Sequence, residues 1–379
     1  MLVKIRPMSF SQVRAVRIGI VGAALLVACG GDAAQRPPQV AVPSVAPQLA
    51  ASVPSSAPAS VAPPEKRSIE GLIIEATQTA LIALNGQDAK MFASVYAENA
   101  QISVPGLNDV DGRAGVEANM SEWFQTFSKV RLGFRRVWMK DKIVVLEWVI
   151  QGKHSGELFG IKGRENPIGH AGLSIVTFND EGKVQSERRY GDLGSVGSQL
   201  GLTKEKTETI PSVPDSTDVY KSNPEADAKT EARVNAALLV FDKKNPAELD
   251  AVIQDDVEYE GPITANTVKG RANLKNTFAA FHKAFPDAKM TRSLVMGIGD
   301  FGVVEYEMTG TQQGPIGNIK ATKKAVRLHA VDIIELKQSK ISRVWTFRNS
   351  TELLQQLRAI NVGVVTPTDG GAKAVPQKK

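Results

Sequence analysis

The stretch "GKVQSERRYGDLGSVGSQLG", residues 182–201, recurs in outline as "SKISRVWTFRNSTELLQQL", residues 339–357. Each copy starts with a turn and a lysine, continues through a β-like run that contains aromatic residues, and closes on Gln-Leu. Asp192 in the first copy and Asn349 in the second copy each lie seven residues before the closing glutamine. The same ending therefore occurs twice in the chain, once with a carboxylate and once with the corresponding amide, which indicates a repeated domain.

The similarity continues outward from this ending. Residues 81–106 align with residues 238–262, and the later helical and strand-like segments follow in the same order at an offset of 157 to 158 residues. Amphipathic helices followed by long alternating strands predict an α+β fold. Leu146 and Trp148 fall on one face of such a strand and Val145 on the other. The sequence thus predicts two tandem α+β domains, over residues 69–203 and 222–362.

The N-terminus has the pattern of a bacterial lipoprotein signal. A basic segment precedes an apolar run at residues 18–29, which is too short to span a bilayer and ends in Leu-Val-Ala-Cys-Gly. This ending resembles a lipobox and predicts a signal peptide over residues 1–28 and a diacylglycerol on Cys29. The alternative is an ordinary secretory signal with a chance cysteine. The residue directly after Cys29 is glycine and not aspartate, which favours the outer over the inner membrane, so we expect a lipid-anchored protein of the bacterial cell envelope.

Three further segments read as connections. Residues 29–68 are rich in alanine, proline and serine and predict a disordered tether behind the anchor. Residues 204–221 read as a polar linker between the domains, and residues 363–379 as a disordered tail.

Charge and cysteine content exclude several classes of function. The formal net charge is +6, but removal of the signal leaves 42 basic against 40 acidic residues, so nothing indicates nucleic-acid binding. Cys29 is the one cysteine of the chain, which excludes an intramolecular disulfide and a cysteine metal cluster. The four histidines show no metal-ligand spacing such as H-E-x-x-H, so we expect neither a metal nor a cofactor.

Each repeat resembles a SnoaL-like domain of the nuclear-transport-factor-2-like superfamily. The motifs that carry this resemblance are "NGQDAKMFASVYAENA" (85–100), W-x(3)-G-x-H-x-G (148–156), F-x(3)-GKV (178–184) and D-x(6)-QLG (192–201). The first repeat matches well and the second loosely. The resemblance implies a cone-shaped domain, in which a curved and mostly antiparallel sheet wraps on three helices.

The same resemblance implies a range of activities. The family includes polyketide cyclases that close a ring by intramolecular aldol addition, with an aspartate as acid and base and without a cofactor. The wider fold includes isomerases, dehydratases and noncatalytic binding domains, so the fold does not fix the function.

Two residues of the first repeat are candidates for proton transfer. His154 shares a strand face with Trp148 and can exchange protons near neutral pH, although a hydrogen-bonded core histidine is the alternative. Asp192 ends a strand with Arg188 and Tyr190 on the same face, and it can act as a base at a pocket rim or simply cap a turn.

The aldol-type aspartate of the family aligns with Ser174 in the first repeat and with Asp332 in the second. The second repeat has Gln312 in place of His154, so each repeat holds only part of the set. His170 and His329 align with each other, each before an alanine. The candidates for catalysis are His154, Asp192 and Asp332, and those for ligand binding are Trp148, Tyr190, Arg188, His170, Tyr306, His329 and Trp345.

Two functions fit these observations. One is a membrane-anchored lipoprotein whose two domains pack as an intramolecular pseudo-dimer and bind a small hydrophobic ligand or a protein partner without catalysis. The alternative is a cofactor-independent acid/base enzyme, a cyclase, isomerase or dehydratase, that acts on a carbonyl compound mainly in the first domain. The enzyme hypothesis expects His154 and Asp192 to lie within about one water of each other.

Overall fold

The computed structural model describes residues 3–5, 67–158, 160–201, 209–261 and 267–358. Cys29 lies outside the described residues, as do most of the predicted signal peptide, the tether up to residue 66 and the C-terminal tail. Across the described ranges, no helix combines the length and the apolar composition needed to span a bilayer.

The first domain is a mixed sheet with helices. Its elements in chain order are β1 (Val3–Ile5), α1 (Ile69–Gly86), α2 (Ala89–Ala93), β2 (Tyr96–Ser103), β3 (Val110–Asp111), α3 (Gly112–Thr126), β4 (Phe127–Lys140), β5 (Ile143–His154), β6 (Asn166–Phe178), β7 (Val184–Gly191), α4 (Leu193–Gln199) and β8 (Thr217–Lys221). The described strands follow the order β1-β8-β4-β5-β6-β7-β2-β3. The β2–β7 and β4–β8 pairs are parallel and the others antiparallel. β8 lies within the segment that the sequence predicts to be a linker, where it adds a strand to this sheet.

The second domain repeats this plan. Its elements are α5 (Pro224–Asp242), a 3-10 helix (Pro246–Ala251), β9 (Ile253–Glu260), β10 (Val268–Lys269), α6 (Arg271–Ala284), β11 (Lys289–Ile298), β12 (Phe301–Thr311), β13 (Ala325–Lys337), β14 (Lys340–Phe347) and α7 (Ser350–Gln356). The described strands follow the order β10-β9-β14-β13-β12-β11, with β9 and β14 parallel. Two tandem domains of curved sheet and helices, as predicted from the sequence, are confirmed.

Polar caps define where the first long helix of each domain begins. The Ser68 side chain accepts a hydrogen bond from the Gly71 amide at 3.1 Å, and the Asn223 side chain accepts one from the Ala226 amide at 3.2 Å. Each cap satisfies an amide that has no partner within the helix. The first long helix of each domain therefore begins at a polar side-chain cap.

Both faces of each sheet are buried. One face packs on the helices of its own domain, and the opposite face packs against the other domain through a cluster shared by both sheets. The fully or largely buried members of this interdomain cluster are Trp138, Val145, Leu173, Ile175, Tyr190, Met296, Ile298, Phe301, Val303, Val331 and Ile333. Successive side chains along a strand therefore point alternately into the domain interior and toward the other domain. Neither side of the strand faces solvent.

Asp192 and Asn349 each cap the start of a helix in the other domain. Asp192 Oδ1 accepts a hydrogen bond from the Ser350 amide at 3.0 Å, and Asn349 Oδ1 accepts one from the Leu193 amide at 3.3 Å. The Asn349 amide nitrogen also donates to the Pro105 carbonyl at 2.8 Å, which a carboxylate cannot do. The acid and the amide of the repeated ending are thus reciprocal caps, and only the amide carries an additional donor.

Candidate functional site

The second domain contains a cavity of about 840 Å³ between its helices and the inner face of its sheet. This volume lies in the range of small-molecule sites. The apolar lining consists of Leu238, Phe241, Leu274, Phe278, Phe281, Phe285, Met290, Val304, Met308, Pro315, Ile316, Leu328, Ile334, Ile341 and Val344, together with several alanines.

A carboxylate lies among these apolar walls. Asp332 on β13 faces the cavity, and its Oδ1 accepts a hydrogen bond from Thr346 Oγ1 at 2.6 Å and a long one from Tyr306 Oη at 3.4 Å. Burial raises the pKa of Asp332 to about 6, because it outweighs these hydrogen bonds and the positive charge of Arg348. A carboxylate with this pKa can take up and release a proton near neutral pH.

Two tyrosines line the cavity beside this carboxylate. Burial raises the pKa of Tyr306 and of Tyr259, and the charge of Asp332 raises both further. Both phenols therefore remain protonated and can donate a hydrogen bond to an oxygen atom of a bound molecule.

Arg348 and His282 add two polar groups to the lining. Within the described ranges, the Arg348 Nε atom is buried and has no hydrogen-bond partner, and the same holds for His282 Nδ1. The His282 ring lies edge-on between Phe278 and Phe281, at centroid distances of 4.4 and 5.1 Å. Burial and the charge of Lys244 lower the pKa of His282, so its imidazole is neutral at pH 7.

The interior of the first domain is filled at the corresponding place. The Trp148 ring lies over two glycines, and a Cβ atom added at Gly172 would lie 2.3 Å from that ring, or 2.9 Å from it at Gly191. Trp148 Nε1 donates to Ser174 Oγ at 3.1 Å. Phe127, Leu132 and Ile150 complete a packed cluster around this tryptophan.

A second carboxylate, Glu187, is buried in the first domain and fully paired. It accepts hydrogen bonds from Tyr96 at 2.6 Å, from Ser174 at 2.8 Å and from Arg189 at 2.9 and 3.0 Å. Burial raises the pKa of Glu187, but the charge of Arg189 and these hydrogen bonds outweigh burial and leave the pKa below its ordinary value. This carboxylate is held ionised by its partners and is not available as a base.

A family model described as SnoaL-like polyketide cyclase matches residues 74–200 and again residues 232–357. The two matches together span more than half of the chain. The chain belongs to the SnoaL-like polyketide cyclase family. Each predicted repeat is matched once, which confirms both the resemblance and the tandem arrangement. The fold of this family supports a ligand-binding or cyclase-type function.

Similar solved structures each cover about one third of this chain. A candidate SnoaL-like polyketide cyclase from Jannaschia sp. CCS1 is 17% identical and aligns over 36% of this chain and 97% of its own, with a TM-score of 0.33. A candidate polyketide cyclase from Xanthomonas campestris pv. campestris is 18% identical over 35% of this chain and 99% of its own, with a TM-score of 0.33. IdmH from Streptomyces antibioticus, another candidate cyclase, is 19% identical over 34% and 98%, with a TM-score of 0.31. A search of curated proteins finds no match to this chain.

Within this SnoaL-like chain, the structure places His154 away from the cavity. His154 ends β5, is fully buried against Phe127, and has no hydrogen-bond partner on either ring nitrogen among the described residues. Burial lowers its pKa. The equivalent Gln312 is also fully buried and anchors the following loop, accepting from the Thr322 amide at 3.0 Å and donating to the Gly314 carbonyl at 3.1 Å. The His154 ring is therefore buried at the end of β5 without the loop contacts that Gln312 makes, and its assignment as the acid/base residue stays a prediction.

Asp192 also has a structural position. In addition to the interdomain cap, it accepts hydrogen bonds from the Gly194 amide at 3.0 Å and from Ser195 Oγ at 3.2 Å, at the start of α4. Its charge acts on His170, whereas burial alone accounts for the lowered pKa of His154. None of the described hydrogen bonds of Asp192 involves His154, so Asp192 acts as a cap and the expected His154–Asp192 pair stays a prediction.

Three predicted ligand-binding residues face the other domain. Arg188 forms an ion pair with Glu305 of the second domain, and Tyr190 Oη donates to the same carboxylate at 2.8 Å. The Arg136 guanidinium lies 3.7 Å from the ring centroid of Trp345. Because both sheet faces are buried, the sequence gives no polar face to orient β7 and β14. The assignment of Arg188, Tyr190 and Trp345 to a pocket is therefore corrected.

The two aligned histidines lie on opposite sheet faces. His170 pairs with Ile150 across β5 and β6 and lies edge-on to Trp148 at 5.3 Å, inside the filled first domain. His329 lies on the same face of β13 as Val331 and Ile333, its Nδ1 contacts Glu352 at 2.7 Å, and this hydrogen bond raises its pKa. The strand register makes Leu328, and not His329, the counterpart of His170. The alignment of the two His-Ala pairs is therefore wrong by one residue.

Two of the predicted site residues, Asp332 and Tyr306, line the cavity. Four further polar lining residues were not predicted: Tyr259, Thr346, His282 and Arg348. One signal was available, since Arg348 replaces Gly191 one residue before the repeated Asp/Asn position. In the described part of the chain, no group of three histidine, cysteine or acidic side chains is arranged to hold a metal ion.

Proposed function

We propose that the second domain binds an apolar carbonyl compound in its cavity and that Asp332 removes a proton from the carbon next to the carbonyl group. One observation carries this proposal: a carboxylate with a pKa of about 6 lies inside an otherwise apolar cavity of about 840 Å³. The proposal transfers the enzyme hypothesis from the first domain, whose interior is filled, to the second.

The surrounding groups fit this chemistry. As the C–H bond breaks, the proton moves to Asp332 and the electron pair moves onto the carbonyl oxygen, which gives an enolate. The protonated phenols of Tyr306 and Tyr259 line the same cavity and can donate a hydrogen bond to that oxygen. Return of the proton at another carbon gives an isomerisation, and attack of the enolate on a second carbonyl group gives a ring.

The pH dependence of proton exchange tests this function. We expect the chain to accelerate the exchange of the α-hydrogens of 2-tetralone, an apolar ketone, for solvent deuterium. The base must be ionised to accept a proton, so the catalysed rate is low below pH 5, rises through about pH 6 and is level above pH 7. Proton NMR in buffered deuterium oxide measures the rate at each pH.

The result also separates catalysis from binding. If 2-tetralone binds without any catalysed exchange, the second domain is a noncatalytic ligand-binding domain, as in the first hypothesis from the sequence. A catalysed rate that falls as the pH rises through 6 contradicts Asp332 as the base.

For the first domain we propose a structural role as the partner of the second in an intramolecular pseudo-dimer. The filled interior around Trp148, the shared interdomain cluster and the reciprocal caps of Asp192 and Asn349 support this role. Ser174 occupies the position of the Asp332 carboxylate and cannot act as an equivalent base.

We further propose that Cys29 is lipidated and anchors the chain in the bacterial cell envelope, in the outer rather than the inner membrane. The lipobox-like sequence supports this proposal. In a bacterial host grown with labelled palmitate, the full chain is expected to carry the label and to sediment with membranes. Cys29→Ser is expected to lose both. Equal membrane association of the two chains would count against the anchor.

A further inference from the structure

We propose that the compound bound by the second domain is an apolar carboxylic acid whose carboxylate is held by Arg348. This inference rests on the proposed function of the same cavity and names the class of its substrate. The juxtaposition that carries it is a guanidinium without a protein partner in the apolar-walled cavity that Asp332 also lines, where the register pairs Asp332 with Thr346, two residues before Arg348.

The guanidinium of Arg348 is available to a ligand. It lines the cavity, its Nε atom is buried without a hydrogen-bond partner, and no described carboxylate forms an ion pair with it. A buried donor in a folded protein is normally paired, and a planar guanidinium matches the two oxygens of a carboxylate. An acidic group on the ligand would supply the missing partner.

Other cations along the cavity already have partners or lie in solvent. Arg292 contacts the Asp242 carboxylate at 2.6 Å, and Lys244 Nζ donates to the Pro286 carbonyl at 3.1 Å. Lys289 is exposed. These groups are therefore weaker candidates for a buried ligand carboxylate than Arg348.

Asp332 is not the hydrogen-bond partner of the Arg348 guanidinium. Its Oδ1 accepts from Thr346 and Tyr306, and it has no ion pair with Arg348 among the described contacts. A ligand carboxylate on Arg348 would hold the adjacent carbons of the ligand near Asp332. We therefore infer an oxo acid, with the reacting carbonyl group close to the acid end and a hydrocarbon body against the phenylalanines and methionines.

The site is a property of the second domain. The position of Arg348 is Gly191 in the first domain, where the absent side chain makes room for the Trp148 ring. Glycine at this position gives the first domain space for the Trp148 ring, whereas arginine at the same position gives the second domain a cation.

A matched pair of ligands tests this inference. Isothermal titration of the full chain with decanoate and with decan-1-ol compares one hydrocarbon body with and without the charge. We expect decanoate to bind at least about tenfold more tightly, the size of a charge-assisted hydrogen bond. In Arg348→Gln, decanoate is expected to fall to the affinity of the alcohol, whose own affinity is unchanged. Arg292→Gln, in the same cavity, is the control and is expected to leave both affinities unchanged.

Other results of this titration would overturn either the carboxylate inference or the proposed function. Equal affinities of the two ligands for the unaltered chain overturn the carboxylate inference but leave the proposed proton transfer intact. Equal weakening of both ligands by Arg348→Gln assigns Arg348 a structural role and also overturns the inference. If neither ligand binds and 2-tetralone exchange is absent, the proposed function fails with it. If Arg348→Gln does not fold, the comparison of ligands on the unaltered chain still decides.

Discussion

Replacement of Asp332 by asparagine is expected to lower the catalysed rate of α-hydrogen exchange in 2-tetralone by about 10² to 10⁴-fold. The amide has nearly the shape of the carboxylate and can still accept the hydrogen bond from Thr346 Oγ1. It cannot take up a proton at neutral pH, so the change removes the base with little change in volume. Proton NMR at pH 7, with the protein at equal concentration, measures the ratio of the two rates.

Two other positions serve as controls for this effect. Ser174→Ala changes the equivalent position of the first domain, and Asp192→Asn changes the acid of the repeated ending. Both are expected to leave the exchange rate unchanged, because one lies in the filled interior and the other caps helices. A loss of exchange in Asp192→Asn with normal exchange in Asp332→Asn would return the active site to the first domain.

Replacement of Glu187 by leucine is expected to lower the free energy of unfolding by about 3 kcal/mol. Glu187 is buried, and its removal leaves Arg189, Tyr96 and Ser174 without their shared acceptor. Breaking a buried ion pair on one side is costly because the remaining charge stays poorly solvated. The urea midpoint, followed by far-ultraviolet circular dichroism at pH 7, measures the loss.

The pH dependence of stability gives the same residue a second signature. The folded-state pKa of Glu187 lies below its ordinary value of 4.5. Its stabilisation is therefore fully present above the unfolded pKa and is lost as the pH falls through the lower, folded pKa. The difference between the original chain and Glu187→Leu is therefore expected to shrink as the pH falls below 4.5, because protonation of Glu187 is linked to unfolding.

An exposed ion pair supplies the control for Glu187. Glu98 pairs with Arg113 at 2.6 Å, but the Glu98 side chain is 81% exposed, so Glu98→Leu is expected to leave the urea midpoint nearly unchanged. Similar shifts in the two variants would mean that Glu187 contributes no more than a surface charge.

The sequence contained enough information for the fold. The repeated ending at residues 182–201 and 339–357, and the constant spacing behind it, predicted two tandem domains because a repeated order of helices and strands requires a repeated packing arrangement. It also singled out Asp332 and Tyr306, which both line the cavity.

The faces of the strands were decided by tertiary structure. Alternation along β7 shows only that Arg188 and Tyr190 share one side and that Glu187 and Arg189 share the other. Because the helices cover one side and the second domain covers the other, no polar side exists that would identify the pocket. The side of β7 that was predicted to face a pocket, with Arg188 and Tyr190, faces the second domain instead.

Which domain keeps an open cavity also depends on packing. Trp148 and Tyr306 are equivalent aromatic residues, but the tryptophan ring fills its interior because Gly172 and Gly191 leave space for it. Asp332 acquires its raised pKa from burial among walls contributed by several distant segments. Residue order alone thus determined the repeat and the fold, whereas the location of the site required the packing, since the volume of a cavity and the pKa of its carboxylate depend on residues that meet only in the folded chain.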